Sequence, residues 1–130
     1  AGSVSSINYV KNGIAGMLEN VPREKLIGGV PFYTRLWTEV GDGTITSKAM
    51  GIAEEKRWVD NNQVELTWQA DTAQYYGEVQ TSDGAQFLWM EEERSLKEKM
   101  NVIRQNDLAG VACWKLGFED SAAWDSIQWN

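Results

Sequence analysis

The sequence contains no histidine and only one cysteine among 130 residues. Without an imidazole, a Ser-His-Asp triad, a Cys-His pair and the common zinc ligand sets are excluded. Any chemistry must therefore rest on carboxylates, tyrosine, lysine or groups of a substrate. The lone Cys113 lies inside the apolar run Leu108-Ala109-Gly110-Val111-Ala112-Cys113-Trp114, where a buried unpaired thiol is expected and not a nucleophile. Basic residues are also scarce, with 12 Lys and Arg against 19 Asp and Glu for a formal net charge of -7. That balance repels phosphate backbones and anionic bilayers, which argues against nucleic acid and membrane as partners. No apolar stretch approaches the roughly 20 residues of a membrane span. The opening Ala1-Gly2-Ser3-Val4-Ser5-Ser6 lacks the charged and apolar regions of a signal peptide. An absent initiator Met points to a processed or excised chain, and this end assigns no compartment.

What the chain does contain is of ordinary globular composition, 42% hydrophobic and 24% charged, enough for one domain with a real core. A complete (β/α)8 barrel needs about 250 residues, so that architecture can be present here only as a part. Ser5 or Ser6 can cap a helix in which Ile7, Val10, Ile14, Met17, Leu18 and Val21 recur at helical spacing before Pro22. Leu26 to Tyr33 is a nearly uncharged run, as expected of a parallel strand covered on both faces. It turns polar and aromatic at Thr34, Arg35 and Trp37.

Residues 38–90 have a different texture and read as a small α+β unit. The turn Gly41-Asp42-Gly43 opens it, a helix is expected from Ser47 to Asp60, and a strand from Val64 to Trp68. Ala73 to Val79 and Ala85 to Met90 flank the hairpin signal Ser82-Asp83-Gly84. Glu91 to Asn106 is again helical, with Leu96, Met100 and Ile103 on one face and acids at the N-terminal end. A buried strand, Ala109 to Leu116, and a short helix, Ser121 to Ile127, capped by Asp120 and carrying Trp124 inward, complete the chain. The two buried strands should be parallel with helices packed outside. Two strands do not close a sheet, so their free edges call for missing strands, the insert, or a second copy through dimerisation or strand exchange.

Three segments, in this order, carry a resemblance. Lys25 to Trp37 contains Gly29-Val30-Pro31-Phe32-Tyr33-Thr34-Arg35, Phe87 to Lys99 contains Trp89-Met90-Glu91-Glu92-Glu93, and Leu108 to Gly117 contains Ala112-Cys113-Trp114. Together they resemble family 18 glycoside hydrolases, the chitinase-like (β/α)8 enzymes, and in particular the bacterial spore-lytic and cell-wall N-acetylglucosaminidase branch. The stretch Lys25 to Trp37 is similar to the seventh barrel strand, whose G-x-P-x-Y-x-R pattern puts Tyr and Arg at the cleft. The stretch Phe87 to Lys99 is similar to the end of the inserted α+β domain and the following helix. The stretch Leu108 to Gly117 resembles the eighth strand, whose Trp forms the floor beneath the sugar. The resemblance thus divides the chain into helix 6 and strand 7 (1–37), the insertion domain (38–90), and helix 7, strand 8 and helix 8 (91–130).

No stretch matches the family's D-x-x-D-x-D-x-E signature, and the M-x-Y-D type motif of strand six is also missing. In these retaining enzymes a protonated Glu donates to the glycosidic oxygen while the substrate's own N-acetyl carbonyl attacks the anomeric carbon. A neighbouring Asp orients the acetamido group and helps raise the acid's pKa. Nothing here supplies either group, so no residue of this chain is assigned a catalytic role and the chain alone should be inactive.

The resemblance implies substrate contacts from Tyr33, Arg35, Trp37, Trp114, Met90 and Glu91 to an N-acetylglucosamine-containing oligosaccharide, with no cofactor and no metal. It implies an extracellular, cell-wall or spore-envelope location in a bacterium. Each assignment has a plainer rival: Trp114 as a core aromatic, Arg35 as one half of a rim ion pair, Trp37 as packing against the insert, and the Glu91 to Glu93 run as acids favoured at a helix N-terminus. Trp58, Trp68, Trp89, Trp124 and Trp129 read as structural. Two rival classes stand beside the enzyme reading: a non-catalytic carbohydrate-binding relative, and an independently folded binding or assembly module, which would be a stable monomer without open sheet edges.

Overall fold

A computed structural model describes residues 1–129. Its elements are α1 (Ile7–Leu18), β1 (Ile27–Pro31), β2 (Tyr33–Glu39), β3 (Ile45–Gly51), α2 (Ile52–Asn61), β4 (Thr67–Gln69), β5 (Gln74–Thr81), β6 (Gly84–Trp89), α3 (Glu93–Gln105), β7 (Gly110–Trp114) and α4 (Ser121–Ser126). The strands form two sheets, a parallel pair β1-β7 and an antiparallel sheet of order β3-β2-β6-β5-β4.

The parallel pair runs in register from Ile27 opposite Gly110 to Pro31 opposite Trp114. One face packs on α1 and α3, where Val30 meets Ile7, Val10, Ile14, Leu96, Met100 and Ile103. Each such side chain contributes roughly 1.5–3 kcal/mol by leaving water. Gly28 permits the close crossing of β1 and α3, because a Cβ there would sit 2.6 Å from Ile103 Cδ1. The helices begin where their caps dictate: the Ser6 hydroxyl accepts from the Tyr9 N–H, Glu92 and Ser95 form a reciprocal capping box on α3, and the Asp120 carboxylate accepts from the Ala123 N–H.

Several expectations are corrected. β1 and β7 are not covered on both faces: Ile27, Gly29, Ala112 and Trp114 alternate on an open face, with Ile27 59% exposed. Apolarity alone cannot say whether a run is buried on one face or two. Ser47 opens no helix. Residues 45–51 form β3, held by seven pairings with β2 from Glu39 opposite Ile45 to Tyr33 opposite Gly51, and α2 starts only at Ile52. Strand pairing overrides a segment without strong local preference. The strand near Val64 shrinks to Thr67–Gln69, while Val64 is buried in the core under β5. Trp124 touches Phe32 edge to face at 5.4 Å yet remains 43% exposed, and Cys113 is unpaired but only half-buried. β2, which carries Tyr33, Arg35 and Trp37, pairs entirely within the antiparallel sheet.

The hairpin is found where the Ser82-Asp83-Gly84 signal put it, between β5 and β6. Gly84 sits at a φ of 128°, and a Cβ there would collide with the Glu39 carbonyl. Beneath this sheet, Leu36, Met50, Leu88 and Met90 pack on Trp58 of α2 as a second core. No helix among the described residues is long and apolar enough to cross a membrane.

Candidate functional site

β1 leads into Tyr33 and β7 ends at Trp114, so both side chains reach the C-terminal ends of the parallel pair. There they line one open pocket of about 370 Å³ with Val4, Ser5, Tyr9 and Ala112. The Phe32 N–H donates 2.6 Å to the Trp114 carbonyl, locking the two strand ends together. Trp114 is 66% exposed, an unusual state for the largest apolar side chain and the state a sugar platform requires. Tyr33 is flanked by the Phe118 ring at 6.0 Å, and the Lys115 ammonium lies 4.7 Å over that ring.

Along β2, Tyr33, Arg35 and Trp37 point to one side and Thr34 and Leu36 to the other, the latter two buried. Arg35 forms no rim ion pair among the described residues. Its Nε donates to Ser47 Oγ at 2.8 Å and its Nη2 to the Ser47 carbonyl at 3.2 Å, which holds the guanidinium across β2 and β3. Trp37 Nε1 donates to the Gly2 carbonyl at 2.9 Å, tying the N-terminal segment to the sheet. Neither Ser47 nor Gly2 is signalled by the sequence, because β3 reads as helix and the terminus carries no pattern.

Met90 and Glu91 are a correction. Met90 is 3% and Glu91 0% exposed, so neither can touch a ligand in this arrangement. Met90 completes the core of the antiparallel sheet. Glu91 forms a buried ion pair with Lys99, whose Nζ lies 2.9 Å from both its oxygens and is angled to donate to Oε2, which also accepts from the Ser95 hydroxyl. Burial pushes the Glu91 carboxyl above its ordinary value, with Lys99 and Ser95 pulling back. Beside it on α2, Glu55 is fully buried with both oxygens short of any hydrogen bond of normal geometry. Burial, then repulsion from Glu91, raises its pKa well above the usual carboxylate range, although the Glu91 backbone amide offsets part of that. Glu55 thus sits at the seam between insert and barrel helix with its ionised form disfavoured. Lys56 closes the same seam at the surface, 2.5 Å from both Glu93 and Asp120. Burial opposes ionisation of Glu93, yet Lys56 keeps its carboxyl below the ordinary value.

Among the described residues no group of three or more His, Cys, Asp or Glu could hold a metal ion. The pocket can present a flat apolar ring and a phenol to a polyhydroxylated ligand, while Arg35 does not line it. It offers no accessible carboxylic acid aimed at that pocket.

Known proteins share this fold. A glycosylase, YvbX of Bacillus subtilis (strain 168), is 26% identical over 128 residues, 98% of this chain and 37% of its own length. The cortical fragment-lytic enzyme of the same organism is 26% identical over 124 residues, 94% of this chain and 29% of that enzyme. A chitinase from Chromobacterium violaceum superposes with a TM-score of 0.90 at 21% identity, covering 99% of this chain and 40% of the chitinase. The chain therefore spans between 29% and 40% of the length of these proteins, and its fold is that of the C-terminal part of a (β/α)8 barrel with its α+β insertion. The family model for glycosyl hydrolases family 18 matches residues 3–119, and the chain belongs to that family.

Proposed function

We propose that this chain is the C-terminal segment of a glycosidase that hydrolyses β-1,4 linkages next to N-acetylglucosamine in peptidoglycan, spore cortex or chitin. Its part is to bind: Trp114 stacks under a sugar ring, while Tyr33 and Arg35 donate hydrogen bonds to hydroxyl or acetamido oxygens. The observation that carries the reading is the convergence of Tyr33 and an exposed Trp114 on one pocket at the C-terminal ends of two parallel strands, where barrel enzymes place their chemistry. Protonation of the leaving oxygen and orientation of the acetamido group fall to residues outside this chain, in a substrate-assisted retaining mechanism. The parent acts outside the cell, at the wall or spore envelope.

A non-catalytic sugar-binding role is the second reading, favoured by the lack of any accessible acid beside Trp114. The test is to incubate the purified chain with N-acetylglucosamine oligomers and follow the sugar anomeric NMR signals together with the Trp114 indole. Shifts at Trp114 without cleavage are expected. Cleavage by the chain alone would overturn the division of labour, and an unmoved Trp114 would overturn the binding role.

A further inference from the structure

A half-buried Tyr33 takes its orientation from what packs against it, and the aromatic ring found there is that of Phe118, 6.0 Å away and inclined at 52°. Phe118 lies in the turn between β7 and α4, and Gly51 makes the room for it. In β3, Gly51 is paired directly with Tyr33, and directly opposed residues of an antiparallel pair have their side chains on one face. The Gly51 backbone is ordinary, with a φ of -68° and a ψ of 168°, so its lack of a side chain serves space and not conformation. A Cβ there would stand 2.9 Å from the Phe118 carbonyl oxygen, 3.0 Å from its Cα and 3.2 Å from its ring. The place beside Tyr33 that a strand partner would fill is thus taken by Phe118. The turn that carries it is well fixed. The Ile52 N–H donates to the Phe118 carbonyl at 2.7 Å, and the Phe118 N–H donates to the Lys115 carbonyl at 3.1 Å. The Gly117 N–H donates to the Glu119 carboxylate at 2.7 Å, and Asp120 meets Lys56 of α2 at 2.5 Å.

We propose that Phe118 is a positioning residue for the sugar pocket: seated in the gap that Gly51 leaves, its ring holds Tyr33 in the rotamer that lines the pocket with Trp114. The inference rests on the sugar-binding reading above and adds to it a residue that touches no sugar, since Phe118 is not among the residues lining the pocket. Tyr33 stands on the antiparallel sheet and Trp114 on the parallel pair. Phe118 follows Trp114 in the next turn of the chain and is bonded to the junction of β3 and α2. One segment therefore sets both the Trp114 platform and the orientation of the phenol beside it. A side chain already held in its binding rotamer has no rotamer freedom left to lose when a ligand arrives, which raises affinity without a new contact.

The test compares the parent chain with Phe118→Leu, which keeps apolar bulk and removes the ring, with Phe118→Tyr, which restores a ring, and with Tyr33→Ala, alone and combined with Phe118→Leu. Two readouts are taken: the three-bond NMR couplings about χ1 of Tyr33, and the affinity for the trisaccharide of N-acetylglucosamine, followed at the Trp114 indole. The parent and Phe118→Tyr should show a single Tyr33 rotamer. Phe118→Leu should show an average over several, with affinity about three- to tenfold weaker. In the Tyr33→Ala background the same substitution should change affinity little, because the two residues act as one unit. A folded Phe118→Leu that keeps a single Tyr33 rotamer, or keeps the parent affinity, would overturn the proposal. So would an equal loss with and without the Tyr33 side chain, the result that a merely structural role gives. If Phe118→Leu does not fold by its amide spectrum, Gly51→Ala displaces the same ring through its Cβ and is read in the same way. A parent chain whose Trp114 is unmoved by the sugar would sink the binding reading, and the Tyr33 couplings then decide the positioning on their own.

Discussion

The two sheets of this chain stand in opposite conditions. The antiparallel sheet of five strands has its own helix, its own core of Leu36, Met50, Trp58, Leu88 and Met90, and three of its four strand pairings between consecutive strands of the chain. The parallel pair has two strands, one covered face, and an open face where Ile27, Gly29, Ala112 and Trp114 meet solvent. An antiparallel unit completes its hydrogen bonding by hairpins between neighbours in the chain, whereas a parallel strand depends on partners brought by crossovers. The seam between the two sheets is polar and buried, formed by Glu55, Glu91, Ser95 and Lys99.

That contrast can be broken most forcefully at the seam. Glu91→Ala strands the Lys99 ammonium in a site where it is 1% exposed, and should cost about 3–5 kcal/mol. Thermal unfolding would measure the loss, and amide exchange should show β1 and β7 released before β5 and β6. Equal release of both sheets would mean that they unfold as one unit. Glu55→Gln should have a smaller effect of opposite sign. Because the folded pKa of Glu55 is raised, the unfolded chain gives up its proton first, and stability falls as pH rises through and above the unfolded value. The Gln variant cannot lose that proton, so by pH 8 it should gain about 1–3 kcal/mol over the parent, with little difference at pH 4. Parallel stability curves for the two proteins would show that the Glu55 carboxyl is not raised by its burial. Ile27→Lys should have the least effect, within about 0.5 kcal/mol, because its side chain already stands in water. A larger loss, accompanied by a fall in sedimentation coefficient, would show that two copies cover each other's open faces.

Much of the fold was legible in the residues. Both barrel strands, their parallel order, the caps at Ser6 and Asp120 and the Ser82-Asp83 turn follow from local pattern. What misled was long-range: residues 45–51 become a strand only because β2 lies beside them, and that pairing hid Ser47 as the anchor of Arg35. Glu91 resembled a cleft residue because its neighbours in the chain belong to the family motif, but the turn into α3 points it inward to Lys99. A motif fixes where the backbone goes, while burial decides which of its side chains meets a ligand.

The tie between the N-terminal segment and the insert has a kinematic consequence. The chain enters the antiparallel sheet at Tyr33 and leaves it at Trp89, and these two crossings are adjacent, joined by the Thr34 hydroxyl and the Trp89 carbonyl. Two neighbouring pivots define one axis, about which a rigid body can still swing. Trp37 to Gly2, Gln74 to Ser3, and the Ile7 amide to the Thr72 carbonyl at 2.9 Å clamp three different strands or turns of the insert to the lead-in of α1. That third point of support opposes the remaining rotation, so the antiparallel sheet and the parallel pair keep a fixed spacing.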